Sequence, residues 1–394
     1  MQKEITVLSL FDGLGGAYLA LTALGYKVNY FASEIDKHAV KVTSAKIPNI
    51  THLGDVTKWR EWKLPKIELL VGGSPCQGFS FAGKGLNFDD PRSKLFFEYA
   101  DIKNHLEALN PNLKFLLENV RMKMRSQEVI TRHLGVHPVN INSALVSAQN
   151  RDRYYWTNIF ACQFNLFGEM KSNIPQPKDE KIFLKDILQA DTEVDKKYYI
   201  SDKVSKWLHE RANERNSKVK TLNGNDKAGC ISATDVKCNL QTNYIDLPFI
   251  QQSAHGKNEG NQFEDKSPTL LGNAWEHNNH LVFTENYLQY DVSGKGYKSQ
   301  QDRAFYPNGK HGTVSANRGD SKAQVLLNPN QAKLNIRRLT PVEVCRLQTI
   351  SDDWFFDETG KQIVSDSQIY KMCGNGFTVK VISHILSFYG KEKL

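Results

Sequence analysis

The feature that most constrains the fold is a regular alternation of short apolar runs and helical patterns over residues 1–160. Four of the runs have the length and near-continuous apolar character of strands that are buried on both faces. They are ITVLSLF (5–11), KVNYFASEI (27–35), IELLVGG (67–73) and LKFLLENV (113–120). Helical patterns separate them at 17–26, 37–46 and 94–109. Strands that alternate with helices form parallel βαβ units, so the sequence predicts an α/β fold with a doubly wound, mostly parallel sheet.

The amino-acid composition changes over residues 186–335, where Asn, Gly, Gln, Lys and Ser become frequent. Three segments there share a weak pattern, a polar loop that leads into a strand-like end, and they could be repeats or a chance likeness. After them, TPVE (340–343) has the composition of a capping box, and a last helix is predicted at 377–388. We therefore predict a main domain (1–185), a smaller, irregular, β-rich insert (186–335) and a return to the main domain (336–394).

Composition narrows the class of protein. The net charge of +8 fits a polyanionic partner without requiring one. The six cysteines are scattered without a CxxC pair, which argues against a zinc site or a disulfide framework and suits a reducing cytoplasm. No apolar run is long enough to span a membrane, and the N-terminus has the pattern of a first strand rather than a signal peptide.

A glycine-rich turn, FDGLGG (11–16), follows the first predicted strand and precedes a helix. Glycines there let the backbone approach a ligand at the carboxyl edge of the sheet, although the same residues could form a plain turn. The dinucleotide fingerprint requires a small residue at position 18, where this chain has Tyr18. The turn therefore favours a nucleoside without a pyrophosphate, and it argues against an oxidoreductase.

Two carboxylates follow in the order expected of an adenosine site. Glu34 ends the second predicted strand, about 20 residues after the turn, where a carboxylate can accept from two ribose hydroxyls. Asp55 follows another strand-like stretch and could accept from an adenine amino group. Either residue could instead cap a helix. Together they favour a ligand that contains adenosine.

Cys76 lies in VGGSPCQGFS (71–80), on a tight turn directly after an apolar run. A structural cysteine usually lies inside an apolar element, whereas Pro75 stiffens this turn and Gly78 keeps it open. A nucleophilic cysteine needs access, thiolate character and a bound electrophile. The position makes Cys76 a candidate nucleophile.

Charged residues are expected near this cysteine. Glu118 closes an apolar strand and should reach the same sheet edge, where a carboxyl against apolar walls can keep its proton near neutrality. Asn119 is expected to hydrogen-bond and orient it. Arg151 and Arg153 alternate along a predicted strand, so they share one face and could clamp a phosphate or a base oxygen. The alternatives are a charge at a helix N-terminus for Glu118 and a solvated surface pair for the arginines.

A thiolate and a protonated carboxyl beside an adenosyl ligand suit a particular reaction. Addition of the thiolate to carbon 6 of a pyrimidine breaks its aromaticity, and a carboxyl at ring nitrogen 3 stabilises the charge that develops. Carbon 5 can then take a methyl group from the sulfonium of S-adenosyl-L-methionine. Loss of the carbon-5 proton and of the thiol completes a covalent pyrimidine methylation.

The sequence resembles the DNA (cytosine-5) methyltransferases of prokaryotic or phage type, with details similar to the animal de novo branch. The matching segments occur in the family's order; they are FDGLGG, SEID, GDV, GGSPCQGFS, ENV, QNRDRYYW, RRLTPVEVCRLQ and CGNGFTVKVISHI. The resemblance implies a class I S-adenosylmethionine-dependent, Rossmann-like fold. It implies Cys76 as the nucleophile, Glu118 as the partner of ring nitrogen 3, and Arg151 and Arg153 beside the flipped cytosine.

The resemblance also implies the residues that line the methyl-donor pocket. They are Phe11, Asp12, Gly13, Leu14, Gly15, Gly16, Glu34, Ile35, Asp55, Val56, Pro75, Leu95, Asn375, Gly376 and Phe377. The family commonly has serine or a similar small residue where this chain has Gly376, so the contact at this position departs from the pattern.

The insert lies where this family has its target-recognition domain, and segment 81–92 resembles the loop that closes over DNA. Base chemistry requires a cytosine to be flipped out of the duplex. The expected DNA contacts are Gln77, Ser80, Lys84, Arg92, Arg303 and Arg318, with Lys310 and Lys322 as further candidates; a solvated surface is the alternative for those in the insert.

The resemblance therefore predicts a monomeric, cytoplasmic enzyme that acts on double-stranded DNA, with or without a separate cognate restriction endonuclease. Two alternatives stay open: a transfer RNA cytosine-5 methyltransferase and a catalytically silent DNA-binding relative. The long insert favours duplex DNA over transfer RNA. The intact set of Cys76, Glu118 and Arg153 argues against a silent protein.

Overall fold

The computed structural model describes residues 3–75, 91–163, 169–199, 227–228 and 336–391, together with short strands between residues 221 and 304. The chain divides into two compact units. The first comprises Met1–Val194, Gly224–Asn243 and Leu339–Leu394, and the second comprises Asp195–Asn223 and Tyr244–Arg338.

The first unit is a mixed α/β structure. Its strands are β1 (Glu4–Leu10), β2 (Lys27–Ser33), β3 (Thr51–His52), β4 (Leu69–Gly72), β5 (Lys114–Val120), β6 (Val136–His137), β7 (Val139–Asn142), β8 (Asp152–Thr157), β9 (Ala161–Gln163) and β10 (Met170–Ser172). Its helices are α1 (Gly16–Ala23), α2 (Lys37–Lys46), α3 (Pro91–Leu109), α4 (Met124–Leu134), α5 (Pro341–Leu347), α6 (Asp366–Asn375) and α7 (Val379–Leu386). Among the described residues, no helix combines the length and the apolar character that a membrane crossing demands.

Seven strands form the central sheet, in the order β3-β2-β1-β4-β5-β8-β7. The pairs from β3 to β5 are parallel, and β8 runs antiparallel to both of its neighbours. The prediction of a doubly wound, mostly parallel sheet is confirmed. The predicted strands and helices over residues 1–160 are all present, with ends shifted by at most three residues, whereas α4 and β7 were not predicted.

The strands form because their residues pack on both faces of the sheet. All four residues of β4 and the five central residues of β5 are buried. Aromatic side chains from α3 and β8, including Tyr99 and Trp156, fill the core beside them. A Cβ at Gly72 would lie 2.9 Å from Cε2 of Tyr99, so the glycine at the end of β4 lets this ring pack against the strand.

The C-terminal part of the chain returns to the first unit and begins with a well-capped helix. Thr340 is the N-cap of α5, Pro341 is its first residue, and the Glu343 side chain accepts from the Thr340 N–H at 2.7 Å while the Thr340 hydroxyl accepts from the Glu343 N–H. The predicted capping box is confirmed. The last helix, α7, packs against α1, where the Ser383 hydroxyl donates to the Ala20 carbonyl at 3.4 Å.

The second unit consists, in its described part, of short strands. They are β11 (Thr221–Leu222), β12 (Tyr244–Asp246), β13 (Phe249–Gln252), β14 (Gln262–Phe263), β15 (Asn279–Val282), β16 (Tyr290–Asp291), β17 (Arg303–Ala304) and β18 (Ile336–Arg338). They form two three-stranded sheets, β11-β12-β18 and β14-β13-β15, and a β16-β17 pair. The predicted domain bounds, with an insert at 186–335, stay a prediction. The similar segments proposed as repeats lie mostly outside the described residues.

We expect Thr340→Ala to lower the free energy of unfolding by about 1–2 kcal/mol, because it removes the cap of α5. Ser365 is the N-cap of α6 but makes no side-chain cap hydrogen bond. Ser365→Ala is therefore the matched control and should change the free energy by less than about 0.5 kcal/mol. Urea unfolding followed by circular dichroism measures both, and equal losses would contradict a contribution from the capping box.

Candidate active site

Three loops start side by side at the carboxyl edge of the sheet, because their strands are parallel neighbours. Leu10 of β1 pairs with Gly72 of β4, and Gly72 pairs with Leu117 of β5. The strand order reverses between β1 and β4, the place where open α/β sheets bind ligands. The glycine turn, the segment that leads to position 76 and Glu118 therefore share one edge, as predicted.

The turn after β1 has backbone angles that explain its glycines. Gly13 and Gly15 have φ angles of 59° and 80°, in the left-handed region that favours glycine. A Cβ at Gly15 would lie 2.8 Å from Cδ1 of Ile47, whereas a Cβ at Gly13 would meet only the Phe11 carbonyl oxygen, at 4.0 Å. The space beside Gly13 is open, as a ligand that approaches the backbone requires.

The Glu34 carboxylate binds the same turn. Its Oε2 accepts from the Gly13 N–H at 2.9 Å, and its Oε1 accepts from the N–H groups of Ile35 and Asp36 at 2.7 and 2.8 Å. The apolar side chain of Ile35 is 78% exposed. An exposed apolar side chain next to a carboxylate fits a nucleoside, which has ribose hydroxyls and a flat base.

Asp55 is exposed and caps the short 3-10 helix Val56–Glu61. Its Oδ1 accepts from the Thr57 N–H at 2.9 Å and from the Thr57 hydroxyl at the same distance. These hydrogen bonds, the backbone one foremost, lower the pKa of Asp55. The alternative interpretation of Asp55 as a helix cap is confirmed, and its contact with an adenine amino group stays a prediction.

The Asp12 side chain is buried, and its Oδ1 accepts from the Tyr30 hydroxyl of β2 at 2.5 Å. Burial raises the pKa of Asp12 to about 6, and the charge of Glu34 adds to the shift while hydrogen bonds from Ser9 and Tyr30 oppose it. The side chain therefore belongs to the protein interior. The predicted contact of Asp12 with the methyl donor would therefore have to involve its backbone.

Glu118 lies at the centre of a buried charged cluster. Its Oε1 is 3.1 Å from Nε of Arg153 and 3.8 Å from Nη2 of Arg151, and its side chain is 10% exposed. Its Oε2 lies toward β4, 3.4 Å from where a Cβ at Gly73 would be. The prediction that both arginines share one face is confirmed. The expected apolar walls are only part of the surroundings of this carboxyl, because two guanidinium groups also face it.

Asn119 does not orient Glu118 in the way the sequence suggested. Its amide nitrogen donates to the hydroxyl of Ser74 at 3.1 Å and to the Ser74 carbonyl at 3.4 Å, and its Oδ1 accepts from the Val120 N–H. Strand β5 thereby holds the segment that follows β4, two residues before position 76. The correction has a geometric reason: side chains alternate along a strand, so adjacent residues face opposite sides.

Arg151 joins the cluster to the C-terminal part of the chain. Its Nη1 donates to the Gly374 carbonyl at 3.1 Å and its Nη2 to the Gly376 carbonyl at 2.9 Å, and only 4% of its side chain is exposed. Both terminal nitrogens thus bind protein oxygens. The predicted contact of Arg151 with a base or phosphate stays a prediction.

Close packing also brings the GNGF segment to the sheet edge. The Phe377 ring lies between two glycines: Cβ atoms built at Gly16 and Gly73 would lie 3.1 and 3.0 Å from its ring carbons. At Gly376 a Cβ would be 2.6 Å from Cδ2 of Leu14 and 2.9 Å from a backbone carbonyl oxygen. Gly376, the departure from the family pattern, is therefore explained by the leucine in the glycine turn.

Two side chains that the sequence did not single out hold these segments together. The Trp354 indole donates to the Leu14 carbonyl at 3.0 Å, which fixes the glycine turn. Gln348 is fully buried, donates to the Cys373 carbonyl and accepts from the Thr378 hydroxyl at 2.8 Å. The segment between α6 and α7 is thus bonded on both sides of GNGF.

Lys227 stabilises the loop that precedes Arg151. Its Nζ donates to the carbonyls of Ala144, Ser147 and Ile182 at 2.7, 3.1 and 2.6 Å. The next residue, Ala228, exchanges backbone hydrogen bonds with positions 148 and 150. A short piece from the middle of the chain is therefore bonded to the loop that precedes Arg151.

The other predicted residues have different positions. Val56 is buried, Pro75 is half-buried at the end of a described segment, Leu95 packs against the core, and Asn375 is exposed at the end of α6. The remaining candidates lie outside the described residues or, for Arg92 and Arg303, have only their backbone described. They are Cys76, Gln77, Ser80, Lys84, Arg92, Arg303, Lys310, Arg318 and Lys322.

A family model for C-5 cytosine-specific DNA methylases matches residues 5–391. The chain belongs to this family. The methylase is 29% identical to the orphan methyltransferase M.SPRI of Bacillus phage SPR, over 97% of this chain and 96% of that protein. It is 37% identical to the type II methyltransferase M1.ScrFI of Lactococcus lactis subsp. cremoris, over 54% of this chain and 55% of that protein.

Solved structures show the same fold as this methylase. The Dnmt2 methyltransferase of S. pombe aligns with a TM-score of 0.54 at 16% identity, covering 97% of both chains. The methyltransferase EhMeth of Entamoeba histolytica aligns with a TM-score of 0.59 at 15% identity, covering 98% of both chains. At these identities the likeness supports the class I methyltransferase fold and nothing finer.

The close packing at Gly376 predicts that a side chain at this position destabilises the methylase. We expect Gly376→Ser to lower the free energy of unfolding by about 1–3 kcal/mol, because the new Cβ clashes with Leu14 and with a carbonyl. Leu14→Ala removes the first clash, so the double variant should lose less than the sum of the single losses by at least about 0.5 kcal/mol. Asn375→Ser, at the exposed neighbour, is the control. Additive losses in urea unfolding would contradict the contact.

The buried Asp12 predicts a dependence of stability on pH. Its folded pKa of about 6 lies above the ordinary value of 3.8. The contribution of Asp12 to the free energy of unfolding is therefore fully present below about pH 4 and is lost as the pH rises through about 6. A difference of about two pKa units corresponds to about 3 kcal/mol. We expect Asp12→Asn to gain up to this amount over the wild type between about pH 4 and pH 8.

Urea unfolding across this pH range measures the gain of Asp12→Asn over the wild type. Asp55→Asn is the control, because its pKa is shifted in the opposite direction and the variant should show no such gain. A constant difference between Asp12→Asn and the wild type would contradict a raised pKa at Asp12.

Proposed function

We propose that this methylase transfers a methyl group from S-adenosylmethionine to carbon 5 of a cytosine in double-stranded DNA, through a transient bond to Cys76. The observation that carries the proposal is the position of the Glu118 carboxyl. It is buried at the carboxyl edge of the sheet, with Oε2 beside Gly73, three residues before Cys76 in the chain. A carboxyl and a cysteine that approach one edge from neighbouring strands can act on opposite parts of one base.

The residues around the glycine turn fit S-adenosylmethionine. The open space beside Gly13 admits a ligand to the backbone, Glu34 offers a carboxylate to the ribose, and the exposed Ile35 offers an apolar surface to the adenine. The Tyr18 ring packs edge-on against Tyr30 at 5.6 Å, where a dinucleotide site would need a small residue. When bound, the donor supplies an electrophilic methyl group to carbon 5.

The bond to Cys76 makes carbon 5 of the cytosine reactive. The Cys76 thiolate forms a bond to carbon 6, and the electron pair of the 5,6 double bond moves into the ring. In this step Glu118 acts as a carboxylic acid and donates a hydrogen bond to nitrogen 3, which stabilises the negative charge that develops there. Once carbon 5 is methylated, a base removes its proton. That electron pair re-forms the double bond while the carbon–sulfur bond breaks and the thiolate leaves.

The two arginines support this step through Glu118. Their guanidinium groups fix one carboxyl oxygen in a position that a free side chain would not keep, and a preorganised group stabilises developing charge without reorganisation. Asn119 adds to the preorganisation by holding Ser74, close to the nucleophile. We therefore assign Arg151 and Asn119 as positioning residues and keep Arg153 as a candidate contact to the base.

Duplex DNA is the substrate we propose, with the second unit as the target-recognition domain. Base chemistry in a duplex requires a flipped cytosine and a surface that holds the remaining strands. The phage and bacterial relatives carry names of orphan and type II methyltransferases, which supports a DNA substrate and a prokaryotic or phage setting in the cytoplasm. A monomeric state and a cognate restriction endonuclease stay predictions, and transfer RNA is the alternative substrate.

A duplex that contains 5-fluorocytosine tests the mechanism. Fluorine at carbon 5 cannot leave as a proton, so the enzyme should stop at a covalent adduct. We expect a protein–DNA band that survives denaturing electrophoresis, forms in the presence of the donor and maps to Cys76 by mass spectrometry.

The control for this experiment is Cys76→Ser, which should form no adduct and methylate no duplex while donor binding stays within about twofold of wild type by calorimetry. Methyl transfer from a labelled donor to unmodified duplex and to transfer RNA, measured side by side, separates the two substrates. Undiminished methylation by Cys76→Ser would falsify the covalent mechanism.

A further inference from the structure

Three cations follow directly after the strand that holds Glu118, two in the segment that joins β5 to α4 and one in the first turn of α4. The sequence of residues 121–125 is RMKMR, and Arg121, Lys123 and Arg125 are all exposed. Met122 is buried and anchors the segment in the core, whereas Met124 is 68% exposed. We call the three cations together with Met124 the β5–α4 basic surface.

This surface begins where β5, the strand that carries Glu118, ends at the carboxyl edge of the sheet. Nη1 of Arg121 binds Oδ2 of Asp152 at 3.1 Å, and Asp152 lies in the chain between the two arginines that face Glu118. From Glu118 to Lys123 the chain advances five residues, which even a fully extended backbone covers in about 17 Å. The basic surface therefore lies at the sheet edge where the base must arrive.

The stability of the helix does not explain these cations. Cations are unfavourable at the N-terminal end of a helix and favourable at its C-terminal end. Lys123 is the N-cap of α4 and makes no side-chain cap hydrogen bond, and the first turn contains no acidic residue, whereas Arg132 and His133 lie in the favourable last turn. Within the part of the chain that the structure describes, Lys123 and Arg125 form no ion pair.

On the basis of the proposed function, we propose that the β5–α4 basic surface binds backbone phosphates of the DNA strand beside the flipped cytosine. Long, exposed cationic side chains suit phosphates, which are spaced along each strand at about 3.4 Å. Contacts of this kind set the register of the duplex and carry no sequence information. The surface would hold the strand near the catalytic edge, whatever sequence the second unit reads.

The test compares two double variants of the full-length chain. Lys123→Gln/Arg125→Gln removes two charges from the basic surface and leaves Arg121 with its partner. Lys27→Gln/Arg132→Gln removes the same charge from the amino end of β2 and the last turn of α4. Binding to a fluorescein-labelled 30-base-pair duplex is measured by anisotropy as a function of salt, and unfolding is measured by circular dichroism.

Loss of two phosphate contacts should weaken binding of the first variant about tenfold or more at moderate salt. It should also reduce the slope of log affinity against log salt by about 1.8, at about 0.9 for each contact. Its unfolding midpoint should stay unchanged or rise, since charges unfavourable to the helix are removed. The control variant should keep the affinity and the slope of the wild type.

Equal weakening in both variants would overturn the proposal, because it would reflect net charge alone; an unchanged slope in the first variant would overturn it as well. Methylation of unmodified duplex by the wild type is measured in parallel. If the wild type methylates duplex DNA and the first variant binds normally, only this inference fails. If the wild type methylates no duplex, the proposed function fails with it.

Discussion

The buried guanidinium of Arg151 is the interaction on which the rest of the site depends. A charge that is 96% withdrawn from water is costly unless protein groups replace its hydration. Arg151 has such groups from two directions: the Glu118 carboxylate at 3.8 Å and the carbonyls of Gly374 and Gly376. One side chain thereby binds together strand β5, the start of β8 and a segment more than 220 residues further along the chain. Removing it would leave the carbonyls of Gly374 and Gly376 without this donor and the Glu118 carboxylate with Arg153 alone.

Packing imposes the same arrangement independently of charge. The Phe377 ring needs glycine at position 16, the first residue of α1, and at position 73, directly after β4, and Leu14 needs glycine at position 376. Glycines that read in the sequence as features of a ligand-binding turn therefore have a second role. They leave room for side chains from the C-terminal segment. The glycine turn after β1 and the C-terminal return of the chain have to be built together, and Trp354 and Gln348 add hydrogen bonds that fix the same two segments.

The contrast between what could and could not be predicted follows from the range of the interactions. The strands were predictable because a parallel strand buried on both faces must be apolar throughout, as β4 is. The capping box at Thr340 was predictable because its two hydrogen bonds span three residues. Helix α4 was missed, although Gly135 with a φ of 72° after basic residues is a typical helix end.

The carbonyl and hydroxyl groups to which Asn119, Arg151 and Lys227 donate could not be predicted, because each lies 45 to 225 residues away in the chain. Nothing local in the sequence distinguishes a lysine that donates to three carbonyls from a solvated one. The wrong partner predicted for Asn119 has a simple geometric explanation. Asn119 was expected to bind Glu118, its neighbour in sequence, but a strand turns adjacent side chains to opposite faces, and the amide instead binds the loop that leads to position 76.

The two oxygens of Glu118 are in different environments, and this difference bears on how the carboxyl can act. Both arginines approach Oε1, at 3.1 and 3.8 Å, so this oxygen is held by positive charge. Oε2 lies on the side of Gly73, toward the segment that continues to Cys76. In the proposed reaction Oε2 is therefore the oxygen that meets ring nitrogen 3, and Oε1 is the oxygen that fixes its direction. A carboxyl free to rotate would exchange these roles, so the arginines contribute orientation as much as charge. These different roles require a guanidinium beside Oε1 and no side chain beside Oε2. Arg153 and Gly73 provide this arrangement.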